Sequence, residues 1–251
     1  MKQTMINEDM IPYKTLEKYG LTAEMLEDLP NWAREDIAEG RYSPVLPIKL
    51  EEEEGVTHKA RTRFAFVQMD DGNVEVVFYP VLEKMPIENY TKEQQEELLA
   101  GKAIIADTVD KDGHKSKAFV QIDTETNQVM SVPTPVIGRN LQVVKDVVGL
   151  SSAELMVMQK GEPLTLLVEN EQVTVGIDLN SKTGIRIGNG DSMAWKENCK
   201  REWDKYTFGG YGCWVMGDDG NLDYVYEEDF TEELWNEQKK SGERNRARMA
   251  L

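Results

Sequence analysis

Two histidines, His58 and His114, and two cysteines, Cys199 and Cys213, are all that this sequence holds of the side chains that most readily ligate metals or attack substrates. The histidines lie in polar, turn-like stretches, EEGVTHK and DKDGHKSK, and read as solvent-exposed loop residues. A zinc site would want Cys or His at knuckle or helical spacing, and no such spacing occurs. A Cys–His nucleophilic pair stays open, because its members can be distant in sequence, yet neither cysteine lies in a nucleophile motif. Serine chemistry lacks its G-x-S-x-G elbow, and phosphate binding lacks the G-x-x-x-x-G-K-S/T loop. Two glycine groups remain, Gly188-Asn189-Gly190 and Gly209-Gly210-Tyr211-Gly212. Neither completes G-x-G-x-x-G between a strand and a helix, so both read as turns. With 46 acidic residues in the chain, any one carboxylate pair looks catalytic by chance. The expectation is therefore no catalytic residue, no cofactor, no metal, and no enzyme.

Charge and hydropathy narrow the classes further. Among 251 residues, 29 basic against 46 acidic side chains leave a net charge of −17. That balance argues against direct nucleic-acid binding, which rests largely on Lys and Arg. The opening MKQTMINEDM contains no apolar signal core, and the longest apolar stretches, such as Val143 to Leu150, are interrupted by Lys145 and Asp146. A cytoplasmic protein with no membrane partner is expected, with its cysteines unpaired and reduced.

The elements that must carry any function are organised by internal similarity. Ala65-Phe66-Val67-Gln68-Met69-Asp70 recurs as Ala118-Phe119-Val120-Gln121-Ile122-Asp123, and more weakly as Val173-Thr174-Val175-Gly176-Ile177-Asp178. A helical pattern ending in glycine precedes each copy, and Gly40, Gly101 and Gly161 fall at intervals of 61 and 60 residues. Thr91 with Gln94, and Ser151 with Glu154, fit the capping box at the start of the second and third helices. In the first stretch, Thr22 to Glu39, Pro30 should divide the helix. After each glycine come a β-type run, a turn, the repeated strand and a last strand. The fold class is thus α+β: about three helix-plus-antiparallel-meander units, then an aromatic-rich α/β C-terminal segment. The spacing predicts units at 9–88, 89–135 and 136–190, the last opening with a linker helix. A C-terminal segment at 191–251 follows, with a helix over 192–205, a hairpin near Gly217–Asn221 and a frayed basic tail.

Strand alternation assigns faces. Ala65, Val67 and Met69, with Ala118, Val120 and Ile122, and with Val173, Val175 and Ile177, are all apolar and should pack on the unit's helix. Asp70, Asp123 and Asp178 on the other face precede turns and should bond the backbone just ahead. Phe66 and Phe119 share that face. They lie either under a neighbouring unit or on an exposed binding surface. The candidate partner contacts are Phe66, Gln68, Phe119 and Gln121, together with Tyr211 and Trp214 from the aromatic-rich end.

Several short segments carry a resemblance. They are Ile11-Pro12-Tyr13, Leu16-Glu17-Lys18 with Gly20, the helix–glycine–lysine step at Gly101-Lys102, the strand Ala118 to Asp123, and Asn189-Gly190-Asp191 followed by Trp195. Over roughly residues 10–230 this pattern resembles families of unknown function, of the DUF3945/DUF4099 type, carried on conjugative elements of the Bacteroides group. The resemblance implies a cytoplasmic bacterial protein linked to mobile DNA, sometimes beside DNA-processing domains, and it brings no assigned catalytic residues. The function expected is a non-enzymatic module that binds another protein of a mobile element, such as a DNA-processing or defence protein. The alternative is an acidic decoy that presents carboxylates where DNA presents phosphates. An enzyme acting on a small molecule has only the glycine-rich loops in its favour.

Overall fold

A computed structural model describes residues 6–51, 57–109, 113–197 and 203–249. Three short helices open the chain: α1 (Tyr13–Glu17), α2 (Ala23–Glu27) and α3 (Asn31–Ala38). The Thr22 hydroxyl accepts the Met25 N–H to cap α2, and Pro30 stands at the N-cap of α3, dividing the stretch as its ring requires. Strands β1 (Leu46–Glu51), β2 (Thr57–Gln68) and β3 (Val74–Pro80) follow. Next come α4 (Lys92–Leu99) with β4 (Ile104–Val109), β5 (Lys115–Asp123) and β6 (Gln128–Pro133). The longer α5 (Thr134–Val148) leads to α6 (Ser152–Met158), β7 (Leu164–Val168), β8 (Glu171–Ile177), β9 (Ile185–Asn189) and α7 (Ser192–Glu197). The chain closes with β10 (Tyr206–Phe208), β11 (Gly212–Met216), β12 (Leu222–Tyr226) and α8 (Glu232–Met249).

Every sheet is a three-stranded antiparallel meander with its middle strand second in sequence, and the fold is α+β. The order helix, glycine, three strands occurs three times. Both capping boxes form: Thr91 accepts the Gln94 N–H while Gln94 accepts that of Thr91, and Ser151 and Glu154 do the same. At the end of α4, Gly101 takes φ +75°, so its N–H reaches the Leu98 carbonyl at 2.9 Å and the Lys102 N–H reaches that of Glu97 at 3.0 Å. A side chain would oppose that left-handed turn, which is why glycine stands there.

The chain forms two compact units, Met1–Pro80 with Glu202–Leu251, and Val81–Arg201. In the first, Leu16, Leu21 and Leu26 from the helical region bury against Phe64 and Phe66 of β2 and against Trp214 and Leu222 of the C-terminal sheet. Here one expected face is corrected. Ala65 is buried as expected, but Val67 and Met69 are 40% and 41% exposed, and β2 buries Phe64 and Phe66 on its other side. Two phenyl rings remove more apolar surface from water than Val67 and Met69 would. In the second unit β5 is buried on both sides. Val120 and Ile122 pack with Leu98 of α4, as expected, while Phe119 packs with Ile137 and Leu141 of α5 and with Val175 of β8.

Two further expectations change at the C-terminal end. The helix from Ser192 stops at Glu197, and residues 198–202 of the expected 192–205 span lie outside the described residues. The basic tail expected to fray is helical to Met249. The hairpin at Gly217–Asn221 forms, with Gly217 N–H bonding the Asn221 carbonyl at 2.8 Å. The turn expected between the second unit's first β-type run and its repeated strand falls at Asp110-Lys111-Asp112, outside the described residues.

Two substitutions test this packing. Phe119→Ala should cost unit two about 3–5 kcal/mol, read as a lower urea midpoint for hydrogen exchange in β5. A midpoint unchanged within error would mean that the ring contributes nothing to the core. The β7–β8 turn holds Glu169 at φ +49° and Asn170 at φ +69°, a geometry that Asn-Gly fits better. Replacing the pair by Asn-Gly should therefore raise stability by roughly 1 kcal/mol in thermal unfolding.

Candidate functional site

The reactive side chains do not converge. His58 is exposed on β2 rather than in a loop, and His114 is exposed just before β5. Cys199 lies outside the described residues. Cys213 is fully buried in β11, and burial pushes its thiol up to about 12, so it holds its proton near neutral pH and makes a poor nucleophile. Among the described residues no cluster of three or more His, Cys, Asp or Glu is placed to hold a metal ion.

Both glycine groups have structural occupants. Gly209-Gly210-Tyr211 wraps the carboxylate of Asp28, a residue only 4% exposed that follows α2. Asp28 Oδ1 accepts the Gly210 N–H at 2.6 Å, and Oδ2 accepts the Tyr211 N–H at 3.0 Å and the Tyr224 hydroxyl at 2.6 Å. A Cβ on Gly209 would overlap that carboxylate, so only glycine lets the backbone come so close. Burial and the Asp28 charge both push the Tyr224 phenol upward, and the charge on Glu27 does the same to Tyr211. Beside this clamp the Trp214 indole N–H donates to the Met25 carbonyl at 3.0 Å. The second glycine group serves Trp195, whose ring lies against Gly176 and Gly188 with its indole N–H on the Arg186 carbonyl at 3.2 Å. The Arg186 guanidinium stacks 3.8 Å from that ring and bonds Asp178 at 2.6 Å. Asp178 also accepts the Asn180 N–H, and Asp123 accepts that of Glu125, so two of the three aspartates do hold turns. In the first copy the turn is bonded by Asp71, not Asp70, because Asp71 is the residue two before Asn73.

The six candidate contacts separate sharply. Phe66, Phe119 and Trp214 are buried core residues, each held by its own unit and withdrawn from any partner. Gln121 is buried as well: its amide donates to the Gly101 carbonyl at 3.1 Å and accepts the Leu179 N–H at 2.7 Å. Gln68 and Tyr211 are exposed, on different strands' ends of unit one, and the structure brings no two of the six together as a surface.

Sequence reasoning missed a cleft in unit two. Its volume is about 390 Å³. Its floor is Ile105 of β4 with its cross-strand partner Phe119, and its wall is the face of α5 that presents Pro135, Gly138 and Leu141. Lys117, Gln159 and Thr134 supply the polar groups, the Thr134 hydroxyl donating to the Lys117 carbonyl at 3.2 Å. Gly138 is the informative residue. In a helix interior glycine costs about 1 kcal/mol relative to alanine. Here no neighbouring atom lies within 4 Å of where its Cβ would stand, so packing does not demand it. A helix-interior glycine was the one available signal in the sequence. A second, smaller cleft is lined by charged side chains, with Lys102 set 3.7 Å from Glu97 and 3.8 Å from Glu162.

With this geometry in hand, comparison with known proteins gives one match. Residues 6–90 match DUF4099, a protein family of unknown function. The DUF4099 stretch runs through α1–α3 and β1–β3 and ends at Tyr90, one residue before the Thr91 cap of α4. No curated protein and no solved structure matches the chain.

Two outcomes are expected at these sites. Asp28→Ala leaves three part-buried hydrogen bonds without their acceptor and should lower the stability of unit one by about 1–3 kcal/mol, with Gly209→Ala acting in the same direction. Urea unfolding followed by tryptophan fluorescence reads this, since Trp32, Trp203, Trp214 and Trp235 belong to that unit. In a Cys199→Ser background, a disulfide reagent at neutral pH should modify no thiol until denaturant is added. Rapid labelling of the native protein would contradict the placement of Cys213.

Proposed function

We propose that this chain is a non-enzymatic protein-interaction module that works in the cytoplasm for a mobile genetic element. The observation that carries the reading is the apolar surface left uncovered on unit two. Val143 and Val147, one turn apart on α5, are 64% and 77% exposed, on the side of the helix away from Ile137 and Leu141. Strand β7, at the edge of its sheet, has no charged residue and leaves Leu167 71% exposed. Edges of that kind pair readily with other chains unless something covers them. The mobile-element part of the proposal rests on the resemblance of the segments above.

The test is a tagged capture from the native host at low and high salt, with the parent and with Val143→Gln/Val147→Gln compared by mass spectrometry. Gln is a good helix former, so the variant should keep the parent's melting temperature. A protein retained at high salt by the parent and lost by the variant is the expected result, since apolar docking is little screened. A partner that elutes at high salt and ignores the substitutions would favour the acidic decoy, and would sink this reading.

A further inference from the structure

We infer that the cleft beneath α5 binds a small apolar monoanion, an aromatic or acyl molecule carrying one carboxylate or sulfonate. The inference is independent of the protein-interaction reading, because Val143 and Val147 take no part in it. Three observations carry it. The open cleft's volume of about 390 Å³ falls in the range of small-molecule sites and suits one ring system better than a length of peptide. Half of the eight lining residues are apolar, Ile105, Phe119, Pro135 and Leu141, and Gly138 keeps the wall open where any side chain would narrow it. The only charge in the lining is the Lys117 ammonium.

That charge fixes the sign of the ligand. Among the described residues no carboxylate lies within ion-pair distance of Lys117, although Asp107 is its register partner across the strands and does not line the cleft. Lys117 is an exposed lysine that lines the cleft. A ligand anion there would gain a charge-assisted hydrogen bond while its hydrocarbon displaces water from Ile105 and Pro135, the exposed apolar residues of the lining. The Gln159 amide offers a second donor at the rim.

The probe is anilinonaphthalenesulfonate, compared with phenylnaphthylamine, which keeps the rings and lacks the anion. Fluorescence titration of the full chain should show one saturable site for the sulfonate and binding about tenfold weaker for the neutral analogue. Lys117→Gln should weaken the sulfonate by a similar factor and leave the neutral analogue unmoved. Gly138→Phe should fill the cleft and abolish binding of both, with the melting temperature held or raised. No saturable site in the parent, equal affinity for the two probes, or undiminished binding by a folded Gly138→Phe variant would each overturn the proposal. If Gly138→Phe fails to fold, the charge comparison at exposed Lys117 decides alone.

Discussion

A buried carboxylate holds the first unit together. Asp28 lies at the end of α2, and the backbone that satisfies it lies 182 positions later, in the glycine-rich turn between β10 and β11. An ionised group removed from water must recover its hydration from fixed donors, and here two amide N–H groups and the Tyr224 hydroxyl supply them. That requirement accounts for features that look unrelated along the chain: glycine at 209, tyrosine at 224, and a reverse turn placed over the end of a helix. Once the two ends of the chain are clamped, Trp214 can seat its ring among Leu16, Leu21 and Phe64 and its indole N–H on the Met25 carbonyl. Residues on either side of the whole second unit thus form one core.

The second unit solves its packing differently. Its middle strand β5 is apolar on both faces, so it serves one small core with α4 and a larger one with α5, α6 and β8. Gln121, a buried polar side chain of this strand, spends both ends of its amide on backbone groups. The corresponding position in the third sheet is Gly176, and the space is taken by Trp195 instead. The two solutions show how one strand pattern serves two neighbourhoods. A hydrogen-bonding amide ties turns together in one, and an indole ring stacked on a guanidinium covers bare backbone in the other.

These cores leave part of unit two uncovered. The helices α5 and α6 pack over part of the sheets, and beyond them stay the outer valines of α5, the edge of β7, and the cleft opened by Gly138. The residues singled out from the sequence as contacts were mostly drawn into the interior. An aromatic ring on a strand is a strong anchor for a partner and an equally strong anchor for the fold, and Phe66, Phe119 and Trp214 took the second role. None of the cleft's residue types is distinctive by itself, which is why only its glycine could have drawn notice.

What the sequence determined alone was everything settled within a few residues. Thr91 with Gln94 and Ser151 with Glu154 start helices, Gly40, Gly101 and Gly161 end them, Pro30 divides one, and Asp123 and Asp178 bond their own turns. Alternation made the strands legible, and their meander order followed from short connections. The tertiary structure decided which face of β2 is buried, that Asp28 meets Gly209, and that the space beside Gly138 stays open. The physical reason is range. Caps, turns and left-handed glycines are governed by backbone donors and sterics of adjacent residues. Burial depends on which surfaces compete to cover a face, and those come from parts of the chain far apart in sequence.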